Sequence, residues 1–159
     1  MHLSKLALQI NTAVSAHPGW KVRLRNAIVS MNSSLTPQDA ARDDLCHVGV
    51  WPHGLMADEE VMSMPEFHAV MAKHSEFHGI AGRILGHALE GDRDRAQALM
   101  HAEFIPCSDE LTRMLWRWKC QVRSEGPICG DALVPQVPCK AGLGTECPVA
   151  RTFRLRKAA

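Results

Sequence analysis

No stretch of this 159-residue chain approaches the ~18 consecutive apolar residues of a membrane-spanning helix, so no membrane span is expected. An excess of charge of one sign is also missing. Lys and Arg number 18 against 17 Asp and Glu, a net charge of +1. A general nucleic-acid binder is normally clearly basic, so nucleic acid is not an expected partner. The first residues, Met1-His2-Leu3-Ser4-Lys5, lack the charged start, apolar run and small-residue cleavage site of a secretory signal. The expected compartment is therefore the cytoplasm, where thiols stay reduced. Alternating β-branched residues are scarce, so essentially no sheet is expected.

What the chain does have is histidine and cysteine. It carries nine His and six Cys against no tyrosine at all. Its composition changes near residue 125. Residues 126–159 hold four of the nine Pro and three of the six Cys. They also carry five basic side chains (Lys140, Arg151, Arg154, Arg156, Lys157) against Asp131 and Glu146. Helical periodicity is absent there, and the Pro spacing would break any helix. The expected division is a folded domain over 1–125 and an irregular, flexible tail over 126–159.

Residues 1–125 read as helices. Leu6, Ile10, Ala13, His17, Trp20, Leu24, Ala27 and Met31 follow at spacings of three and four, one face of a long first helix. Thr36 and Pro37 start a second, as N-cap and first helical residue, running towards Val50. Pro65 opens a third and Gly91 closes it, with Phe67, Met71, His74, His78, Ala81, Leu85 and Ala88 on one face. Asp92 caps a fourth, with Ala96, Met100, Phe104, Leu111, Met114, Trp118 and Val122 on one face. The expected fold is all-α, an antiparallel four-helix bundle with a metal site between helices. Pro18 and Pro106 fall inside two of these helices, and each predicts a kink or short break.

The histidines fall on the apolar faces. His17 sits on the first stripe. His74 and His78 sit four apart on the third, a spacing at which both rings reach one metal ion. Cys46 lies near the end of the second helix, and Gly49 after it would allow a close approach. A thiolate plus three imidazoles is a sensible tetrahedral zinc set. A buried His is more often a satisfied core residue, and a lone Cys an apolar filler, so a purely structural bundle stands as an alternative. A di-iron protein would need several inward carboxylates with Glu-x-x-His pairs. The only hint is the inverse, His87-Ala88-Leu89-Glu90, and Asp43 and Asp44 read as surface acids or at most partners of a ligand His.

Three segments carry a resemblance. His17-Pro18-Gly19-Trp20 is like His-x-x-Trp, Cys46-His47-Val48-Gly49-Val50-Trp51 is like Cys-x-Leu/Phe-Gly-x-Trp, and His74-Ser75-Glu76-Phe77-His78 is like His-x-x-Phe-His. In this order the chain resembles the bacterial chemoreceptor zinc-binding (CZB) domain family over roughly residues 5–122. The resemblance implies one zinc ion held by His17, Cys46, His74 and His78 in a cytoplasmic four-helix bundle. It implies a sensory role, in zinc level or thiol oxidation such as by hypochlorite, rather than an enzyme. It also implies a chemotaxis or cyclic-di-GMP signalling partner. A homodimer is a further expectation, because Trp116 and Trp118 lie on different faces of the last helix.

The chain departs from the family at Pro18-Gly19, which could tilt His17 away from the site and leave His47 as a substitute ligand. Cys120, Cys129, Cys139 and Cys147 lack Cys-x-x-Cys spacing and are expected to be free thiols.

Overall fold

The computed structural model describes residues 3–46, 49–50 and 54–123. Among them every regular element is a helix and none is a strand. The expected tail, with Cys129, Cys139 and Cys147, and the candidate substitute ligand His47 lie outside the described residues.

Helix α1 spans Leu3–Ala16 and α2 spans Pro18–Ser30. The break expected at Pro18 is there, but it is slight. Proline has no N–H to donate, so it opens α2 at the first helical position. His17 keeps right-handed helical angles (φ −60°, ψ −37°), and its N–H still reaches the Ala13 carbonyl at 3.3 Å. The stripe therefore carries across the junction. Leu6, Ile10, Ala13, His17, Leu24 and Ala27 are all buried. Met31 ends the stripe exposed, in the left-handed conformation that stops α2 (φ 53°).

Helix α3 spans only Pro37–Ala41. Its start is as expected, with the Thr36 hydroxyl accepting from the Asp39 N–H at 3.0 Å. Its end is not, because the expected run towards Val50 stops at Arg42, which is extended (φ −87°, ψ 116°). Continuing would place Asp43 and Asp44 in a last turn whose dipole repels acids. Arg42 instead clasps Asp44 through two bonds, of 3.0 and 2.6 Å. Cys46 thus lies in an irregular segment and not on a helix.

A short 3-10 turn (Leu55–Ala57) and α4 (Glu59–Met62) lead into α5, Pro65–Leu89. Asp58 caps α4 through the Val61 N–H at 3.3 Å. Gly91, at φ 84°, closes α5 in a conformation that L side chains rarely adopt. Asp92 caps α6 (Arg93–Leu99). A π-helical turn over Met100–Phe104 then leads into α7, Ile105–Val122. That turn is how the chain accommodates Pro106. A wider turn relieves the proline's missing donor and ring clash without breaking the helix axis.

Helix α5 is the hub, packed against α2, α3, α6 and α7, while α1 lies along α7. Phe67, Phe77, Phe104, Leu111 and Trp118 are the large side chains at the centre, each 1 % exposed or less. Phe77 and Phe104 rings stand 4.6 Å apart. The two tryptophans on α7 do point different ways, with Trp118 buried and Trp116 38 % exposed under the Lys119 ammonium at 4.3 Å. Cys120, on the same helix, is disulfide-bonded, against the expectation of a free thiol.

One glycine positions α3. A Cβ on Gly82 would stand 2.7 Å from both the Pro37 carbonyl oxygen and the Ala41 Cβ. Alanine at an ordinary helix interior gains about 1 kcal/mol over glycine. Here Gly82→Ala is expected to destabilise by about 1–3 kcal/mol, because backbone must move. Denaturant unfolding checks this, and a stabilised variant would show that α3 does not rest on α5.

Candidate metal centre

Three side chains converge where α5 faces the segment after α3. The ligand atoms of Cys46, His74 and His78 all lie within 4.8 Å of one another, so this group could hold a metal ion. His74 and His78 come from one face of α5, four residues apart, and are 3 % and 0 % exposed. Their rings stand 4.7 Å apart. Cys46 carries a thiol, half-buried, with its Sγ 3.4 Å from His74 Nε2.

Backbone groups orient two of the three side chains, Cys46 and His78. Gly49 N–H donates to Cys46 Sγ at 2.9 Å, as it would to a thiolate. The turn that allows this leaves no room at Gly49, where a Cβ would sit 1.6 Å from the Asp43 carbonyl oxygen. The glycine's close approach is thus to its own segment, not to another helix. His78 Nδ1 donates to the Ala40 carbonyl at 2.9 Å. That fixes the tautomer and leaves Nε2 as the lone-pair nitrogen. Nε2 is buried and has no hydrogen-bond partner among the described residues. A buried polar atom left so is costly unless something supplies its bond, and a cation among neighbouring ligands does so.

His17 stands beside the group and not within it. Pro18 has not turned it outward, since it is 2 % exposed and its ring lies 5.4 Å from that of His74. Its Nδ1 donates to the Ala13 carbonyl at 2.7 Å, which again leaves Nε2 as the lone pair. Phe77 packs on its ring at 5.2 Å, and Trp20 packs edge-on to His78 at 4.9 Å.

The electrostatics favour neutral imidazoles. Burial pushes the His78 pKa down, opposed by the Ala40 carbonyl and the charge of Asp43. Burial also pushes His17 down, opposed by the Ala13 carbonyl, with His78 lowering it further. A neutral ring is the form that binds metal. The group contains no carboxylate, the ligand type that a di-iron centre requires. Asp43 acts on His78 through charge, raising its pKa against the effect of burial.

The remaining described histidines lie apart. His68 is exposed, with Nε2 on the Met62 carbonyl at 2.8 Å, and His101 is exposed. His87 sits 3.9 Å from Glu90 and 3.7 Å from Asp92. His53 lies outside the described residues. Sequence reasoning did not find Ala40, because a backbone carbonyl acting through position leaves no mark in residue type.

No family model, no curated protein and no solved structure matches this chain.

Proposed function

We propose that this chain is a regulatory zinc-binding module of the chemoreceptor zinc-binding kind. One zinc ion is held by Cys46, His74 and His78, with His17 as the fourth ligand. The observation that carries the reading is the convergence of the Cys46, His74 and His78 ligand atoms within 4.8 Å, with a buried His78 Nε2 among them that no described residue partners. Mixed sulfur and nitrogen donors without carboxylate favour zinc over magnesium, calcium or manganese. Zinc in this position would supply a fixed cross-link and keep Cys46 as a thiolate. The proposed architecture is an antiparallel four-helix bundle, supported by the packing of α5 against α2, α3 and α7 and of α1 along α7.

The ligands join three parts of the chain: the α1–α2 junction, the segment after α3, and α5. Binding free energy at such a site is also free energy of holding those parts together. Loss of the ion would release the segment bearing Cys46 and change the surface it presents. Oxidation of Cys46 to the sulfenic acid would weaken it as a ligand and have the same result. The role is sensory rather than catalytic. The output passes to a signalling partner of the chemotaxis or cyclic-di-GMP kind, or through a homodimer. The cytoplasm is the proposed compartment. The disulfide at Cys120 runs against the reduced thiols expected of that compartment, and the proposal rests on the resemblance.

Metal content of the purified protein, before and after mild hypochlorite, tests this reading. One zinc per chain is expected. Its release on oxidation favours the redox role, and its retention favours zinc level or structure. Protein free of metal, which takes none up, would overturn the reading in favour of a structural bundle.

A further inference from the structure

The ligand group is reached from solvent on one side. His74 and His78 are 3 % and 0 % exposed, within the long helix α5. Cys46 is half-buried and sits in an irregular segment. A cleft of about 400 Å³ opens beside it. The described walls include Gly19, Leu45, Trp20, His17 and Cys46, and neither His74 nor His78 is among them. Leu45 and Gly19 are exposed and form the mouth, whereas Cys46 and the buried His17 form the inner end. A water takes about 30 Å³ in the liquid, so the space admits a hydrated ion.

Charge does not bar a cation from this cleft. Asp39 and Arg23 stand on the same wall with opposite signs, and Arg42 is paired with Asp44 at 2.6 Å. The two sides of the ligand group also differ in how they are held. His78 belongs to a helix of 25 residues and donates to the Ala40 carbonyl at 2.9 Å. Cys46 is held by a turn outside any helix, through the Gly49 N–H at 2.9 Å. Short irregular segments open locally more readily than long packed helices. The side that opens is therefore the side that faces the cleft.

We propose that this cleft is the route by which the zinc ion enters and leaves its site. The inference rests on the metal reading above. Its structural ground is that Cys46 belongs both to the ligand group and to the cleft wall, while the two α5 ligands are shut away from it. No electrons move in the passage. On release, the bonds from zinc to the side chains are replaced by bonds to water or to an incoming acceptor, and the Cys46 thiolate takes a proton from water. Uptake runs the same steps in reverse. The cleft thus sets how fast the module answers a change in zinc, separately from how tightly it binds.

Gly19 provides the test. A Cβ there meets nothing within 4 Å, so a side chain can be set at the mouth without moving backbone. Cobalt(II) stands in for zinc, because its thiolate band reports occupancy. Stopped flow follows its uptake by the metal-free full chain and its release to EDTA. A plug at the mouth raises the barrier equally in both directions. Gly19→Trp should therefore slow uptake and release alike, by about tenfold, and leave the affinity unchanged. Gly19→Ala should keep the parent rates and Gly19→Leu should fall between, so the series still decides the matter if the largest side chain prevents folding. Parent rates in the folded Trp and Leu variants would overturn the inference and leave the metal reading standing. A change in release alone, with a matching change in affinity, would also overturn it, since position 19 would then act on the site and not on the route. Failure of the parent chain to take up cobalt would overturn both.

Discussion

On the proposed reading, replacing Cys46 with alanine is expected to lower zinc affinity by more than about 100-fold, and replacing His78 to do the same. Loss of a residue that merely orients a ligand typically costs 10–100-fold, so loss of a ligand must exceed that. Cys46 is the only sulfur in the group. His78 supplies a buried Nε2 whose direction is set by the Ala40 carbonyl. His17→Ala should cost less, because its ring stands beside the group and not within it. Cys107→Ala is the control. Cys107 is a buried thiol on α7, pushed up to about 11 by burial, and so remains protonated and inert. Competition against a chromophoric chelator measures all four. Equal affinity in the Cys46 and Cys107 variants would remove Cys46 from the site.

Stripping the proposed zinc is expected to lower the melting temperature by roughly 10–20 °C when the comparison holds free zinc near 1,000 times its dissociation constant. Binding to the folded state alone then contributes about 4 kcal/mol. For a domain of this size each kcal/mol moves the midpoint by several degrees. The loss should not be uniform. Helix α3 has five residues, too few to stand alone, and is tied down by Gly82 packing and the Ala40–His78 bond. Helix α5 keeps its own core of Phe67, Phe77, Ile84 and Leu85. Hydrogen exchange in metal-free protein should therefore speed first over residues 37–46 and last over α5. Calorimetry with and without chelator gives the shift. An unchanged midpoint would mean that the ion does not fasten these parts.

The apolar stripes carried most of this fold. His74 and His78 were legible because a helix of 25 residues gave a stripe long enough to be unambiguous. The caps at Thr36 and Asp92 and the stop at Gly91 were legible because each uses local chemistry. The end of α3 was not. Its sequence permits a longer helix, and the halt depends on the Arg42–Asp44 clasp and on where α5 leaves room. The π turn before Pro106 is similar, since the sequence marks the disturbance but not which way the backbone yields. Within the site, the ligand types were visible, whereas the carbonyls of Ala13 and Ala40 that aim them were set by tertiary placement. The disulfide at Cys120 gave no spacing signal.

X-ray absorption at the zinc edge of the loaded protein tests the central claim most directly. The account predicts one zinc per chain with a single sulfur at about 2.3 Å and the remaining neighbours nitrogen at about 2.0–2.1 Å. The sulfur should vanish in Cys46→Ala and persist in Cys107→Ala. A shell without sulfur, or a second metal at short range, would contradict it.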